Sequence, residues 1–146
     1  MIKKYKKLDY NTEDLESLSN SKLKKLGDYW LRQYLLNSKD INPQYCPIKK
    51  RHYDISKMQV SHYEDRANLW TRYSLINCHL ISSQSNMWDA QVQVEGYKSL
   101  HHKEYGEWLV KEYGVDILNI LCKKAENKEI FRKEDYIKVI KQFRDA

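Results

Sequence analysis

The chain has 146 residues, with 26 Lys and Arg against 20 Asp and Glu, a net charge of +6 and a pI near 9.1. That length supports one domain with a real core, and the basic balance suits an anionic partner such as nucleic acid, although a merely solvated surface carries the same signature. No apolar run approaches the length that spans a bilayer, and three scattered cysteines with no C-x-x-C pair rule out both a disulfide scaffold and a four-thiolate zinc site, so a soluble cytoplasmic protein without a membrane partner is expected.

Residues 1–20 are polar and lysine-rich and read as a basic arm, extended or partly disordered, with Lys3, Lys4, Lys6 and Lys7 able to touch phosphate. The remainder, 21–146, reads as one domain. Leu23, Leu26, Leu31 and Leu35, with Trp30 and Tyr34, fall at helical spacing after Ser19 and Ser21, and predict a first helix. "NSKDINPQYCP" stops it with Asn, Asp and the only two prolines. Short strands are expected between Ile48 and His62, where Tyr53, Ile55 and Met58 are the apolar points. Trp70 to Leu80 reads as apolar-rich loop, and the stretch around Val92 and Val94 as a helix or a short strand.

The last third is helical by pattern. Tyr105, Trp108, Leu109 and Tyr113 predict a helix capped by Gly114, and Val115, Ile117, Leu118 and Leu121 the next. Tyr136, Val139, Ile140 and Phe143 mark one face of a terminal helix. The chain also holds 12 Tyr and 4 Trp, several beside Lys or Arg, a pattern compatible with base stacking as well as with a filled core.

Chemistry concentrates in "SHYEDRANLWTRYSLINCHLISSQSN", Ser61 to Asn86. A neutral imidazole at His62 beside a divalent cation can take a proton from water and direct hydroxide at a phosphodiester. Asn77, His79 and Asn86 follow at distances that a strand and a turn fold back toward His62. Oxygen donors suit Mg²⁺, which keeps several waters and needs few protein ligands.

The order Ser61-His62-Tyr63 with Arg66, then Arg72-Tyr73, Asn77 and Asn86, resembles the core of the HNH (ββα-metal) nucleases, specifically the phage NinG/Rap recombination endonucleases. The likeness runs from about Lys22 to Leu121. It implies an α+β, mostly helical fold, with a ββα core over about 46–100 flanked by N-terminal helix and by C-terminal helices over about 103–144. It implies a metal-dependent endonuclease acting on branched or junction DNA with Mg²⁺ or Mn²⁺. By analogy with junction-resolving enzymes, a homodimer is expected.

Carried over residue by residue, the resemblance makes His62 the general base and Asn86 a metal ligand, as in the related resolvase endonuclease VII. Asn77 would orient the backbone or the base, and His79 would stand near the metal or the phosphate. Arg66 and Arg72 would clamp phosphate or hold the hairpin, and Lys49, Lys50, Arg51 and Lys98 complete the basic set assigned to DNA. Where many HNH proteins carry Asp before the histidine, this chain has Ser61, which leaves Glu64 and Asp65 as the nearest acids for the cation.

The family's two C-x-x-C zinc knuckles appear here as Cys46-Pro47-Ile48-Lys49 and Ser82-Ser83-Gln84-Ser85, so no structural zinc is expected. Apolar contacts from Ile48, Leu80, Ile81 and Met87 should hold the unit instead. Two alternatives stay open: a degenerate fold of this kind that binds DNA or a protein without cutting, and a helical interaction protein in which His62 and the asparagines are structural.

Overall fold

The computed structural model describes residues 7–146 and shows an α+β chain in two compact units, 7–34 with 130–146, and 35–129. Lys3, Lys4 and Lys6 lie outside the described residues. The later part of the segment read as an arm is ordered by its own side chains, because Leu15 is buried and the Tyr10 carbonyl accepts the indole N–H of Trp30.

In the first unit, α1 (Asn20–Asn37) opens where Ser19 Oγ accepts the backbone N–H of Lys22. Its Leu23, Leu26 and Leu31 repeat every three to five residues and are buried, while the last turn, from Leu35, groups with the second unit. The helix α5 (Lys133–Arg144) begins with Asp135 accepting the Arg132 N–H at 2.8 Å. Acids in its first turn and Lys141 and Arg144 in its last complement the helix dipole. Its buried face is Tyr136, Ile137, Ile140 and Phe143, so Ile137 takes the place expected for Val139. Phe143 meets Tyr34 at 5.3 Å between ring centres. Each such buried side chain stabilises the unit by about 1.5–3 kcal/mol.

The second unit carries two antiparallel hairpins. A short one pairs β1 (Tyr45–Cys46) with β2 (Arg51–His52), and its turn needs a left-handed residue, which Lys50 supplies at φ 56°. The longer one pairs β3 (Met58–His62) with β4 (Cys78–Ser82) in the register Ser61 opposite His79 and His62 opposite Cys78. The stretch expected to be loop from Trp70 to Leu80 thus holds β4 and one helical turn, α2 (Leu69–Arg72). After β4 come a π-turn at Gln84–Trp88 and a 3₁₀ turn at Asp89–Gln91, while the stretch around Val92 and Val94, expected as a helix or a short strand, is neither.

Strand alternation puts Gln59, Ser61, His79 and Ile81 on one face of this hairpin and Val60, His62, Cys78 and Leu80 on the other. Against the first face lies α3 (Leu100–Tyr113), started by Ser99, whose Oγ accepts the His102 N–H, and ended by Gly114 at φ 99°. Tyr105 of α3 is fully buried, and its hydroxyl lies 3.3 Å from the carbonyls of both Ser61 and Asn77. Gly106 permits the approach, since a Cβ there would sit 3.2 Å from the Tyr63 hydroxyl. The unit closes with α4 (Ile117–Ala125), which buries Ile117 and Leu121. No helix among the described residues is long and apolar enough to cross a membrane.

Candidate functional site

The loop between β3 and β4, residues 63–77, is held by two buried side chains, Asn77 and Arg72. Asn77 is fully buried; its Oδ1 accepts the Glu64 N–H at 2.7 Å, and its Nδ2 donates to the Glu64 carbonyl at 3.2 Å and the Thr71 carbonyl at 3.1 Å. The Asn77 carbonyl in turn accepts the Tyr63 N–H at 3.1 Å, one rung beyond the hairpin. Arg72 braces the same loop, being buried with Nη1 donating to the Arg66 carbonyl at 2.9 Å.

That brace fixes the position of the Arg72 carbonyl, which lies 2.8 Å from His62 Nε2 and also accepts from Cys78 Sγ at 3.0 Å. A carbonyl only accepts, so His62 carries its proton on Nε2, and in the neutral ring the basic lone pair falls on Nδ1. The half-buried imidazole is thereby set in one tautomer at the end of β3.

On the opposite face runs a directional chain of neutral groups. Ser61 Oγ donates to Asn86 Oδ1 at 2.7 Å, and Asn86 Nδ2 donates to Gln59 Oε1 at 2.8 Å. Since the hydroxyl proton of Ser61 is committed, His101 Nε2, 3.3 Å away, is the donor to Ser61 Oγ; His101 Nδ1 then accepts from Ser85 Oγ at 2.8 Å. Burial, with the neighbouring His102 second, lowers the His101 pKa and keeps the ring neutral, as this chain requires.

Asn86 therefore meets Ser61 and Gln59, whereas His62 alternates to the other side of β3. His79 is placed between hydroxyls, with Nδ1 at 2.6 Å from Tyr105 and Nε2 at 2.9 Å from Tyr113. Burial, and to a lesser degree the His62 charge, push its pKa down to about 3. Glu64 is half-buried, and Asp65 is exposed with Oδ1 accepting the Ala67 N–H.

Of the basic set, Arg66, Lys50, Arg51 and Lys98 are exposed. Lys49 is engaged: its ammonium pairs with Asp89 and, at 2.8 Å, with Glu104. Burial alone would lower its pKa, but hydrogen bonds to those two carboxylates hold it above the ordinary lysine value.

Three of the four positions matched to zinc thiolates lie together and fully buried: Cys46 Sγ accepts the Ser82 N–H at 3.4 Å, and Ser82 Oγ the Ser85 N–H at 3.4 Å. Ile48, Leu80 and Ile81 are buried around them. Met87 is not: it is 51% exposed, because the π-turn directs it outward, where its sulfur accepts from Gln59 Nε2.

Among the described residues no group of three or more His, Cys, Asp or Glu is arranged to hold a metal ion. The donor set that does converge is neutral, the Ser61 hydroxyl and the Asn86 amide oxygen. The two are hydrogen-bonded to each other, Ser61 is buried, and both lie across β3 from His62, so they do not form with it a shared site for a cation. His101, Ser85, Gln59 and Tyr105 were not singled out for this site from the sequence. The signal available was the doublet His101-His102 just ahead of the helix predicted from about residue 103, with Tyr105 in its first turn. Comparison with profiles of known protein families, with characterised proteins and with solved structures finds no match.

Proposed function

We propose that the chain is a metal-dependent endonuclease of the ββα type acting on DNA, with branched or junction DNA as its preferred form and the cytoplasm as its setting. The observation that carries this reading is His62 held through Nε2 by the Arg72 carbonyl, inside a loop tied by buried Asn77. An imidazole with one nitrogen donating to a fixed acceptor is oriented as a base, and the imidazolium it becomes keeps the same hydrogen bond.

In the step proposed, His62 Nδ1 takes a proton from water, the oxygen bonds to phosphorus, and the bond from phosphorus to the departing sugar oxygen breaks. The proton passes from His62 to solvent. Glu64 and Asp65, in the loop that follows His62, are the acids that would hold a Mg²⁺ or Mn²⁺ ion, which when bound would offset charge on the departing oxygen. Lys50, Arg51, Arg66 and Lys98 supply exposed positive charge for the phosphates. His79, neutral and enclosed by two tyrosines, acts by packing rather than by proton transfer.

Cleavage of a four-way junction with Mg²⁺ or Mn²⁺, on wild type and His62→Ala, tests the reading. A loss of about 100- to 10,000-fold is expected in the variant. Equal rates in the two proteins would falsify it. The neutral donor pair at Ser61 and Asn86 favours a second reading, a binding module of the same fold that does not cut. Absence of cleavage together with junction binding that weakens steeply with salt would establish that alternative.

A further inference from the structure

The loop that orients His62 contains a helix too short to satisfy its own end. With four residues, α2 offers its last carbonyls no N–H further along the same helix. The Thr71 carbonyl takes the Ser74 N–H and Asn77 Nδ2, each at 3.1 Å. The Arg72 carbonyl is met instead by two side chains, His62 Nε2 at 2.8 Å and Cys78 Sγ at 3.0 Å.

Strand register is what brings those two side chains together. His62 and Cys78 stand directly opposite each other across β3 and β4, so they leave the same face of the hairpin and reach the same oxygen. The thiol is fully buried and has a single proton to give. Its other acceptor, the Thr71 carbonyl, is 3.8 Å away, so that proton lies toward Arg72. A carbonyl oxygen has two lone pairs, and here each meets a donor.

The consequence falls on the imidazole. With one lone pair held by the thiol, the other stays aimed at His62, and a ring that turned an unprotonated Nε2 toward it would set acceptor against acceptor. That restricts His62 to the tautomer with the proton on Nε2 and the basic lone pair on Nδ1. Without the thiol the carbonyl can turn, or accept from water beside the half-buried ring, and the tautomer with its proton on Nδ1 becomes accessible. In that form Nδ1 is no longer a base.

We infer that Cys78 is a positioning residue for His62, its thiol holding the Arg72 carbonyl so that the imidazole keeps its proton on Nε2. That His62 acts as a base rests on the nuclease reading above, whereas the hold on its tautomer does not.

The test uses long-range ¹H–¹⁵N spectra of the metal-free protein at about pH 8.5, about two units above the ordinary histidine value. His62→Ala assigns the ring signals by subtraction. Wild type should show Nε2 protonated and Nδ1 bare; Cys78→Ala should mix in the other tautomer, and Cys78→Ser, which keeps a donor, should restore the first. Cys78→Val and Cys78→Thr form a second pair, alike in shape and differing in the donor, which separates hydrogen bonding from packing and serves if the smaller side chains do not fold. In junction cleavage the two variants without a donor should lower kcat about 2- to 10-fold with KM unchanged, the worth of one hydrogen bond. One tautomer throughout, a proton on Nδ1 in wild type, or Ser and Thr variants that behave as Ala and Val overturns the inference. Tautomers that respond as expected in a protein that cleaves nothing remove the nuclease and leave the role of Cys78 standing. Cleavage that needs His62 but is indifferent to Cys78 does the reverse.

Discussion

Removing the Asn77 side chain should loosen the loop between β3 and β4 before it disturbs the rest of the hairpin. Asn77→Ala deletes three hydrogen bonds, to the Glu64 N–H, the Glu64 carbonyl and the Thr71 carbonyl, at a site with no solvent exposure. The Thr71 carbonyl keeps the Ser74 N–H at 3.1 Å, so the cost falls mainly on the two Glu64 groups. At about 0.5–1.5 kcal/mol net for each of the three bonds, the loss is about 1.5–4.5 kcal/mol. Asn77→Asp has the same shape but a different failure. One oxygen still accepts from Glu64, while the other faces two carbonyls, and the repulsion is relieved only when the carboxyl is protonated. Its folded pKa is therefore raised above the unfolded value, and by linkage its stability is greatest below the unfolded pKa and falls as pH rises through the folded one. Urea unfolding of wild type and both variants at pH 7 and pH 5 checks this. Asn77→Asp should be the less stable variant at pH 7 and recover relative to Asn77→Ala at pH 5. An alanine variant within about 0.5 kcal/mol of wild type, the scatter of ordinary surface substitutions, would refute the brace.

Two further outcomes follow from the same unit. His79 has its pKa pushed down to about 3, so it takes up a proton on unfolding below pH 6.5; wild-type stability should fall with acid there, by at most about 1.4 kcal/mol per pH unit, and His79→Gln should flatten that slope in a urea series from pH 7 to pH 4.5. Lys49→Met leaves Asp89 and Glu104 facing each other without their cation and should cost about 1–3 kcal/mol; a double-mutant cycle with Glu104→Gln should give a coupling of at least about 0.5 kcal/mol, and additive effects would make the pair a bystander.

The helices were legible because a repeat of three to four residues survives over several turns. In α1 the apolar positions and the serines before them, and in α3 the apolar positions and the glycine after them, point to the same segment. At α5 one of the four face positions was misassigned, Val139 for Ile137, because four apolar residues crowd into one turn and a half and either set makes a stripe. The strand β4 was hidden for a different reason. "CHLIS" is buried at four of its five positions, so the alternation that marks a half-exposed strand is missing. The turns from Gln84 to Gln91 have no period long enough to detect, and their shape is set by what they tie, Asn86 to Ser61 and Asp89 to Lys49.

The site was legible as spacing but not as faces. Sequence order brings His62, Asn77 and Asn86 into one motif, and Asn77 does pin the loop whose Arg72 carbonyl receives His62. Which side of β3 each residue meets depends on register, and the register is set by pairing His62 with Cys78 across fifteen intervening residues. Ser61 shows the consequence. Read along the chain it is an acid that is missing; in space it is the centre of a neutral chain from Ser85 through His101 to Asn86 and Gln59, in which every proton has one assigned acceptor. An aspartate at that position would face the Asn86 oxygen without a proton to give, so Asn86 would have to reverse its amide and break from Gln59. Keeping that bond would require the Gln59 amide to turn as well, which takes its Nε2 from the Met87 sulfur, so the serine at position 61 and the two amide orientations belong to one arrangement of the hairpin.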